Sequence, residues 1–380
     1  MISEPSYLAS RIVAPSIERH FIAHIENLDL NEVVNTAILP KAQIVEAVID
    51  TSFWASLRHE EGIPPKFSIA LLPPDHVVSP LVFEHAIRLT PKNITKLAPA
   101  LAGPNIHLGV WFDKNELFIW GTILNLSTLC FVLEVIEPGL MVVKHKRIDG
   151  FGKFVNVAVL KGDDIKLVDE ESLSLNDCPA ILNSLMVMPL PRFQNDSVNV
   201  LIELAASMRA HKRGGLVLVV PEKTIDWRKS IVHPINYPSE PAFKGISELM
   251  QEDSSVRIET HWQESLKRMI EVVGGFTAVD GATILNDKYE LLAFGAKVSR
   301  SEHSFPVNEV IATEPVIGGT AQMIHPSQIG GTRHLAAAQF VYDQQDALAL
   351  VASQDGRFTI FTWSNELQMV HAHRIDILLL

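Results

Sequence analysis

The feature that most limits what this chain can fold into is a change of rhythm across Pro189-Leu190-Pro191. Before it, short apolar runs lie in pairs about turn residues. After it, helix-length apolar stripes alternate with short, wholly apolar runs. Proline neither continues a helix nor donates to a β-ladder, so the segment reads as a linker between two units, residues 1–190 and 191–380. A chain of 380 residues exceeds what one core usually serves. Its 47% hydrophobic and 20% charged residues can fill two cores, with no low-complexity tract.

In the first unit, Ile44, Ala47, Val48 and Phe53-Trp54 suggest a helix. Residues 67–72, between Pro64-Pro65 and Pro73-Pro74, read as a short buried strand. From residue 106 to 168 the signals are β. Runs 107–112 and 116–121 flank Asp113-Lys114-Asn115, and runs 131–137 and 140–143 flank Pro138-Gly139. This is a mixed α+β pattern. In the second unit, Asp196 or Ser197 caps a helix with Val198, Leu201, Ile202, Ala205 and Met208 on one face. His211-Lys212-Arg213 suits its carboxyl end, and Gly214-Gly215 stops it. A strand follows at 216–220. A second amphipathic helix carries Trp262, Leu266, Met269, Ile270 and Val273 and ends at Gly274-Gly275. Strand, turn and strand then run over 276–296. The expected class is α/β (α+β), with a mixed sheet flanked by helices in the second unit.

Charge and cysteine content narrow the function. A net charge of −12, from 44 acidic and 32 basic residues, opposes a general nucleic-acid or anionic-membrane binder. It does not oppose a nucleotide pocket, which needs only a few local cations. Cys130 and Cys178, without CxxC or zinc spacing, read as reduced thiols of a cytoplasmic protein. Residues 1–10 lack a signal-peptide pattern. The most apolar stretch, 117–136, is broken by Asn125, Ser127 and Thr128 and alternates like paired strands, so it is no membrane span.

Three segments carry candidate chemistry. In Asp280-Gly281-Ala282, a carboxylate at the end of an apolar strand has open backbone beside it, fit for a divalent cation or a sugar hydroxyl. As a local signal Asp-Gly is also simply a turn. In Gly330-Gly331-Thr332-Arg333-His334, glycines ahead of an alanine-rich helix leave N–H groups for an anion. Thr332, Arg333 and His334 add a hydroxyl, a planar bidentate cation and an imidazole. A capped helix with surface charges gives the same letters. In Ser353-Gln354-Asp355-Gly356, a buried strand enters a tight turn where Asp355 offers a second carboxylate, or merely a hairpin tip.

Taken together and in this order, the three segments resemble the DisA-type diadenylate cyclase domain over about residues 195–365. That family carries an Asp-Gly-Ala motif, a Gly-Thr-Arg-His-Arg motif leading into Ala-Ala, and a later Ser-Glu-Glu strand end. The hairpin 283–296, with its Phe294-Gly295-Ala296 end, also fits the family's pattern. The first unit resembles, less specifically, the DACNV-type sensor module attached to some bacterial cyclases of this family. With no span read in the sequence the chain is expected to be soluble, and the resemblance implies an enzyme that joins two ATP into cyclic di-AMP with Mg²⁺ or Mn²⁺. It implies a homodimer or higher assembly with face-to-face sites, and an unknown ligand for the sensor. Asp280 would sit at the metal and the 3′-hydroxyl, and Asp355 would be a second metal ligand. Gly281 and Ala282 would leave room for nucleotide. Gly331, Thr332, Arg333, His334 and Ser353 would hold it, with Arg333 and His334 on the phosphates.

The sequence departs from the family at four places. Leu335 replaces a second arginine, and Gln354-Asp355 replaces two glutamates. Val279 stands where some members have a histidine, and the segment 300–328 is longer than in familiar members. A nucleotide receptor without turnover is therefore the rival reading. Lesser candidates are His371 and His373, two apart on a strand expected to lie at an edge; Lys144-His145-Lys146-Arg147, read as a solvated turn; and Arg209, His211, Lys212 and Arg213, read as helix-end charge. No nucleophile elbow, Walker loop or dinucleotide fingerprint is present.

Overall fold

The computed structural model describes residues 5–26, 38–101, 103, 105–113, 116–146, 154–169, 200–257 and 259–380. Backbone contacts divide the chain between Val168 and Asp169. The linker expected at 189–191, the cap at Asp196 or Ser197, Val198, Arg147 and Cys178 lie outside the described residues.

The first unit contains α1 (Leu8–Glu26), α2 (Ala42–Ser56), β1 (Phe67–Leu71), β2 (Leu81–Arg88), α3 (Pro91–Leu97), β3 (His107–Asp113), β4 (Glu116–Ile123), β5 (Phe131–Glu137), β6 (Leu140–Lys146), β7 (Phe154–Lys161) and β8 (Asp164–Leu167). The strands form one mixed sheet in the order β2-β4-β3-β1-β5-β6-β7-β8. Strands β1 and β3 run parallel, and β1 and β5 antiparallel. Alternation decides the faces. Ile69, Leu108, Leu133 and Val143 face the helices, with Ile17, Phe21, Val48 and Ile94 packed over them. Ala70, Leu72, Trp120 and Val132 form a smaller cluster elsewhere. Each large side chain so buried contributes about 1.5–3 kcal/mol. The start of α1 is held by Asp50 of α2, whose Oδ1 accepts from the Ser6 and Tyr7 N–H groups at 2.8 and 2.7 Å. That satisfies donors which a helix start leaves without intrahelical partners.

The second unit contains α4 (Val200–Ala210), β9 (Gly215–Val220), β10 (Tyr237–Phe243), α5 (Gly245–Met250), α6 (Ser254–Arg257), α7 (Thr260–Phe276), β11 (Ala282–Asn286), β12 (Leu291–Ala296), β13 (Val310–Thr313), β14 (Gln322–Ile324), α8 (Thr332–Asp343), β15 (Leu348–Ala352), β16 (Phe358–Ser364) and β17 (Met369–Arg374). Its sheet has the order β10-β12-β11-β9-β15-β16-β17-β13-β14. Strand β9 is buried along its whole length. Val217 and Val219 pack with Leu204 and Met208 of α4 and Leu266 and Ile270 of α7. Leu216 and Leu218 pack on the other side with Ala337, Phe340 and Val341 of α8. Helices therefore cover both faces of a mixed sheet, and the α+β class is as expected.

Three local expectations need correction. Helix α7 does not stop at Gly274-Gly275 but runs to Phe276. A Cβ on Gly274 would overlap the Ser207 hydroxyl, so this glycine serves close packing of α7 on α4. Lys144, His145 and Lys146 are strand residues, not a solvated turn. Lys144 pairs with Glu134, Lys146 donates to the Leu126 carbonyl at 3.0 Å, and His145 is fully buried. Strand β17 is interior, paired with β16 and β13, so His371 and His373 do not sit on an edge. Their rings stack at 3.8 Å, and Thr313 Oγ1 lies 2.9 Å from His371 Nε2.

Candidate active site

Strand register brings two of the three motif segments to one end of the second sheet. Ala282 pairs with Leu216, Ala352 with Gly215, Phe358 with Ala352, and Ala296 with Ala282. The Asp280-Gly281 turn before β11, the Gly214 turn before β9, Lys297 after β12 and the 353–357 turn after β15 thus share that end. The start of α8 joins them, because Arg333 lies over Gly214. A Cβ there would be 2.8 Å from Arg333 Nη1 and 3.1 Å from the Ala352 carbonyl oxygen.

Asp280 does not end a strand as expected. The Thr277, Ala278 and Val279 N–H groups bond back to the Gly274, Gly275 and Phe276 carbonyls at 3.1–3.2 Å. The apolar Ala278-Val279 pair therefore unwinds α7 instead of joining the ladder. Gly281 makes the turn at φ +114°, and a Cβ there would lie 2.5 Å from the Gly295 carbonyl carbon. Only glycine meets both conditions. Its neighbour Ala282 is buried in the strand, packed inward and not opened toward solvent.

The Asp280 side chain is 85% exposed and pairs with Lys297 Nζ at 2.8 Å. The lysine's hydrogen bond and charge, with a smaller contribution from Arg333, hold the carboxyl below its ordinary range. It is an ionised oxygen donor open to solvent. Gly331 caps α8 with no side-chain hydrogen bond, and space beside it is open. The first-turn N–H groups at Thr332 and Arg333 thus belong to a helix start suited to an anion. His334 turns inward and is 2% exposed, under Gly330, with its ring edge-on to Phe361 at 6.0 Å. Burial, opposed by Asp355 and aided by Arg357 and Arg333, lowers its pKa to about 4. At neutral pH it is an uncharged, supporting imidazole and not an exposed phosphate donor.

Ser353 and Asp355 shape the neighbouring turn. The Ser353 N–H donates to the Arg357 carbonyl at 2.9 Å, and the Gly356 N–H donates to the Ser353 carbonyl at 3.2 Å. Asp355 pairs with Arg357 at 3.3 Å, both about half exposed. Asp280 and Asp355 are hard oxygen donors of the kind Mg²⁺ and Mn²⁺ take. The basic cluster divides by role. Arg209 donates to the Asp376 carbonyl at 3.4 Å and is partly desolvated. His211 Nε2 lies 3.0 Å from Thr277 Oγ1, joining the end of α4 to the turn before Asp280. Lys297 is the site residue that sequence reasoning missed. It lies outside all three motifs, and only the β11–β12 pairing brings it to Asp280.

A cleft of about 500 Å³ lies at the opposite end of β9, lined by Val220, Trp227, Lys229, Ser301, Asp343 and Ala347. The motif residues do not line it. The thiol of Cys130, in the first unit, is fully buried and pushed up to about 12 by desolvation, which makes it inert. No helix among the described residues is long and apolar enough to cross a membrane.

Comparison with known proteins finds likeness to a family model and to solved structures. A family model described as "Probable sensor domain DACNV" matches residues 34–124, within the first unit. Among solved structures, a crystal structure of a double mutant of DacA from Staphylococcus aureus is similar at 16% sequence identity and a TM-score of 0.23. That similarity covers 42% of this chain and 77% of the DacA chain. No curated protein matches. The chain therefore contains a stretch similar to the DACNV probable sensor domain, followed by a helix-flanked mixed sheet that gathers Asp280, Arg333 and Asp355 at one end.

Proposed function

We propose that the second unit is a diadenylate cyclase, condensing two ATP into cyclic di-AMP with release of two pyrophosphates, and that the first unit regulates it. The observation that carries this reading is the meeting of three distant segments at one sheet end: strand register aligns the turns of Asp280-Gly281 and Asp355, and Arg333 of α8 lies over Gly214 beside them. In the reaction, each ribose 3′-oxygen forms a bond to the α-phosphorus of the other ATP. The bond from that phosphorus to the pyrophosphate oxygen breaks, pyrophosphate leaves with the electron pair, and each hydroxyl proton passes to solvent.

The barrier is largely one of position and phosphate charge. Arg333, the Thr332 hydroxyl and the open start of α8 supply donors for phosphate oxygens, and Ser353 adds a hydroxyl at the adjacent turn. His334 acts as a positioning residue that holds Gly330-Gly331 from beneath. With its depressed pKa, Asp280 is a poor proton store, but it is a good hydrogen-bond acceptor for a 3′-hydroxyl and a good metal ligand. Mg²⁺ or Mn²⁺, when bound, would neutralise phosphate charge, with Asp280 and Asp355 as its protein ligands. Each subunit supplies half of the reacting pair, so two copies must face each other in a homodimer or larger assembly. The exposure of Asp280 suits a site completed by a second copy.

A second reading, a receptor that binds ATP or cyclic di-AMP without turnover, is favoured by Leu335. That side chain is 37% exposed next to Arg333, where a second phosphate-binding cation would stand in the cyclases. Asp280→Asn separates the readings. A cyclase loses its product while remaining folded, whereas undiminished product in the variant would sink the assignment of Asp280. Tight nucleotide binding by the unaltered chain without pyrophosphate release would favour the receptor.

A further inference from the structure

We propose that His20, His24 and His145 form a divalent-metal site in the first unit, of the imidazole type that Zn²⁺ takes. His20 and His24 are one helical turn apart on α1, so both side chains project from one face. His145 comes from β6, on the same alternation as Met141 and Val143, which pack into the core shared with α1. One ring nitrogen from each of the three lies within 4.8 Å of the other two. The ring centroids are 4.1 Å apart for His20 and His24, and 5.4 and 5.3 Å from each of these to His145.

Packing alone also brings imidazoles together, as it does His371 and His373. Two further observations favour a metal. His24 Nδ1 lies 2.9 Å from the His20 carbonyl oxygen, and His145 Nδ1 lies 3.1 Å from the Lys146 carbonyl oxygen. A carbonyl can only accept, so each Nδ1 carries a proton, and in the neutral ring each Nε2 then holds the lone pair. Backbone carbonyls fix the tautomer of metal-ligating histidines in this same way. The burial is graded as well. His145 is fully enclosed while His20 and His24 are half-buried, which leaves an approach from the helix side.

Three neutral nitrogens with a water or an external ligand complete a tetrahedral zinc shell. Among the described residues of β6, the neighbouring cations do not oppose the ion. Lys144 and Lys146 alternate away from His145 on β6, and each has its own partner in Glu134 and the Leu126 carbonyl. The inference stands apart from the nucleotide reading, since it concerns another unit and other ligand atoms.

The test uses the full chain, stripped with a chelator and titrated with Zn²⁺ alone. The expected result is one bound equivalent that weakens about tenfold or more in His20→Gln and again in His24→Gln. The half-buried positions of both keep the fold, checked by circular dichroism. Zn²⁺ should also raise the thermal midpoint of the unaltered chain and not that of the double variant. Added Co²⁺ should give visible absorption bands that the double variant lacks. Absence of binding, or binding with equal affinity in the folded double variant, would overturn the proposal.

Discussion

The two units use mixed sheets of similar size in different ways. In the first, β5 to β8 pair in sequence order as hairpins, and the loops fall alternately at the two ends. In the second, β9 lies between β11, parallel, and β15, antiparallel, each brought in from far along the chain. Crossover through α7 returns β11 in the direction of β9, so the turns before both fall at one end. Polar residues from separate segments gather there. A meander keeps neighbours near in sequence, whereas a crossover sheet assembles a site from distant ones. The first unit gains its histidine cluster only because α1 lies over the sheet.

Four changes distinguish the two units, with effects that fall from catalysis to nucleotide affinity. Asp280→Asn should lower product formation by about 10²–10³-fold, with unchanged circular dichroism. Retained activity would mean that the crossover end is not the reacting end.

Acid should weaken both units for one reason, a buried histidine with a pKa lowered to about 4. His107 in the first unit is desolvated and lies near Lys144, and His334 in the second is desolvated under Gly330. The unfolded chain binds protons near pH 6.5 that the folded chain refuses down to about 4, so stability rises with pH across that window. It is fully present above about 6.5 and lost as pH falls, by at most about 3 kcal/mol per histidine. Denaturant unfolding of His334→Gln at pH 7 and pH 5 should show a smaller loss on acidification than the unaltered chain.

Gly281→Ala places a Cβ at φ +114° against the Gly295 backbone, and should cost about 2 kcal/mol by thermal unfolding. Gly275→Ala, where a Cβ meets open space, should not destabilise. Equal effects at the two glycines would contradict the turn geometry. Arg333→Ala should raise the ATP concentration for half-maximal activity about tenfold, the loss of one charged hydrogen-bonding partner. Unchanged ATP affinity would remove Arg333 from the phosphates.

Periodic and turn-bounded segments were legible in the sequence. The helix at Ala42–Ser56, the strand at Phe131–Glu137 and the strand at Gly215–Val220 follow directly from apolar pattern and turn residues. Elements with contradictory local signals were not. Helix α1 was missed because Pro15 interrupts it, although Val13, Ile17 and Phe21 recur at four-residue spacing and are buried. Strand β10 contains Pro238 and Pro241, which an edge strand tolerates and sequence pattern excludes. Strand β2 is mostly exposed and shows no alternation.

Site legibility divided along the same line. The three motifs are contiguous letters and could be picked out. The Asp280–Lys297 pair depends on a hairpin's register. The burial of His334 depends on which way a helix start faces, and the clustering of His145 with α1 depends on tertiary packing. None of these has a local signature.

Incubating the full chain with ATP and either Mg²⁺ or Mn²⁺ tests the cyclase itself. Cyclic di-AMP would be followed by mass spectrometry and pyrophosphate by a coupled assay. The predicted result is cyclic di-AMP with two pyrophosphates for each molecule formed. Bound ATP with neither product under both metals would contradict the cyclase and leave the receptor.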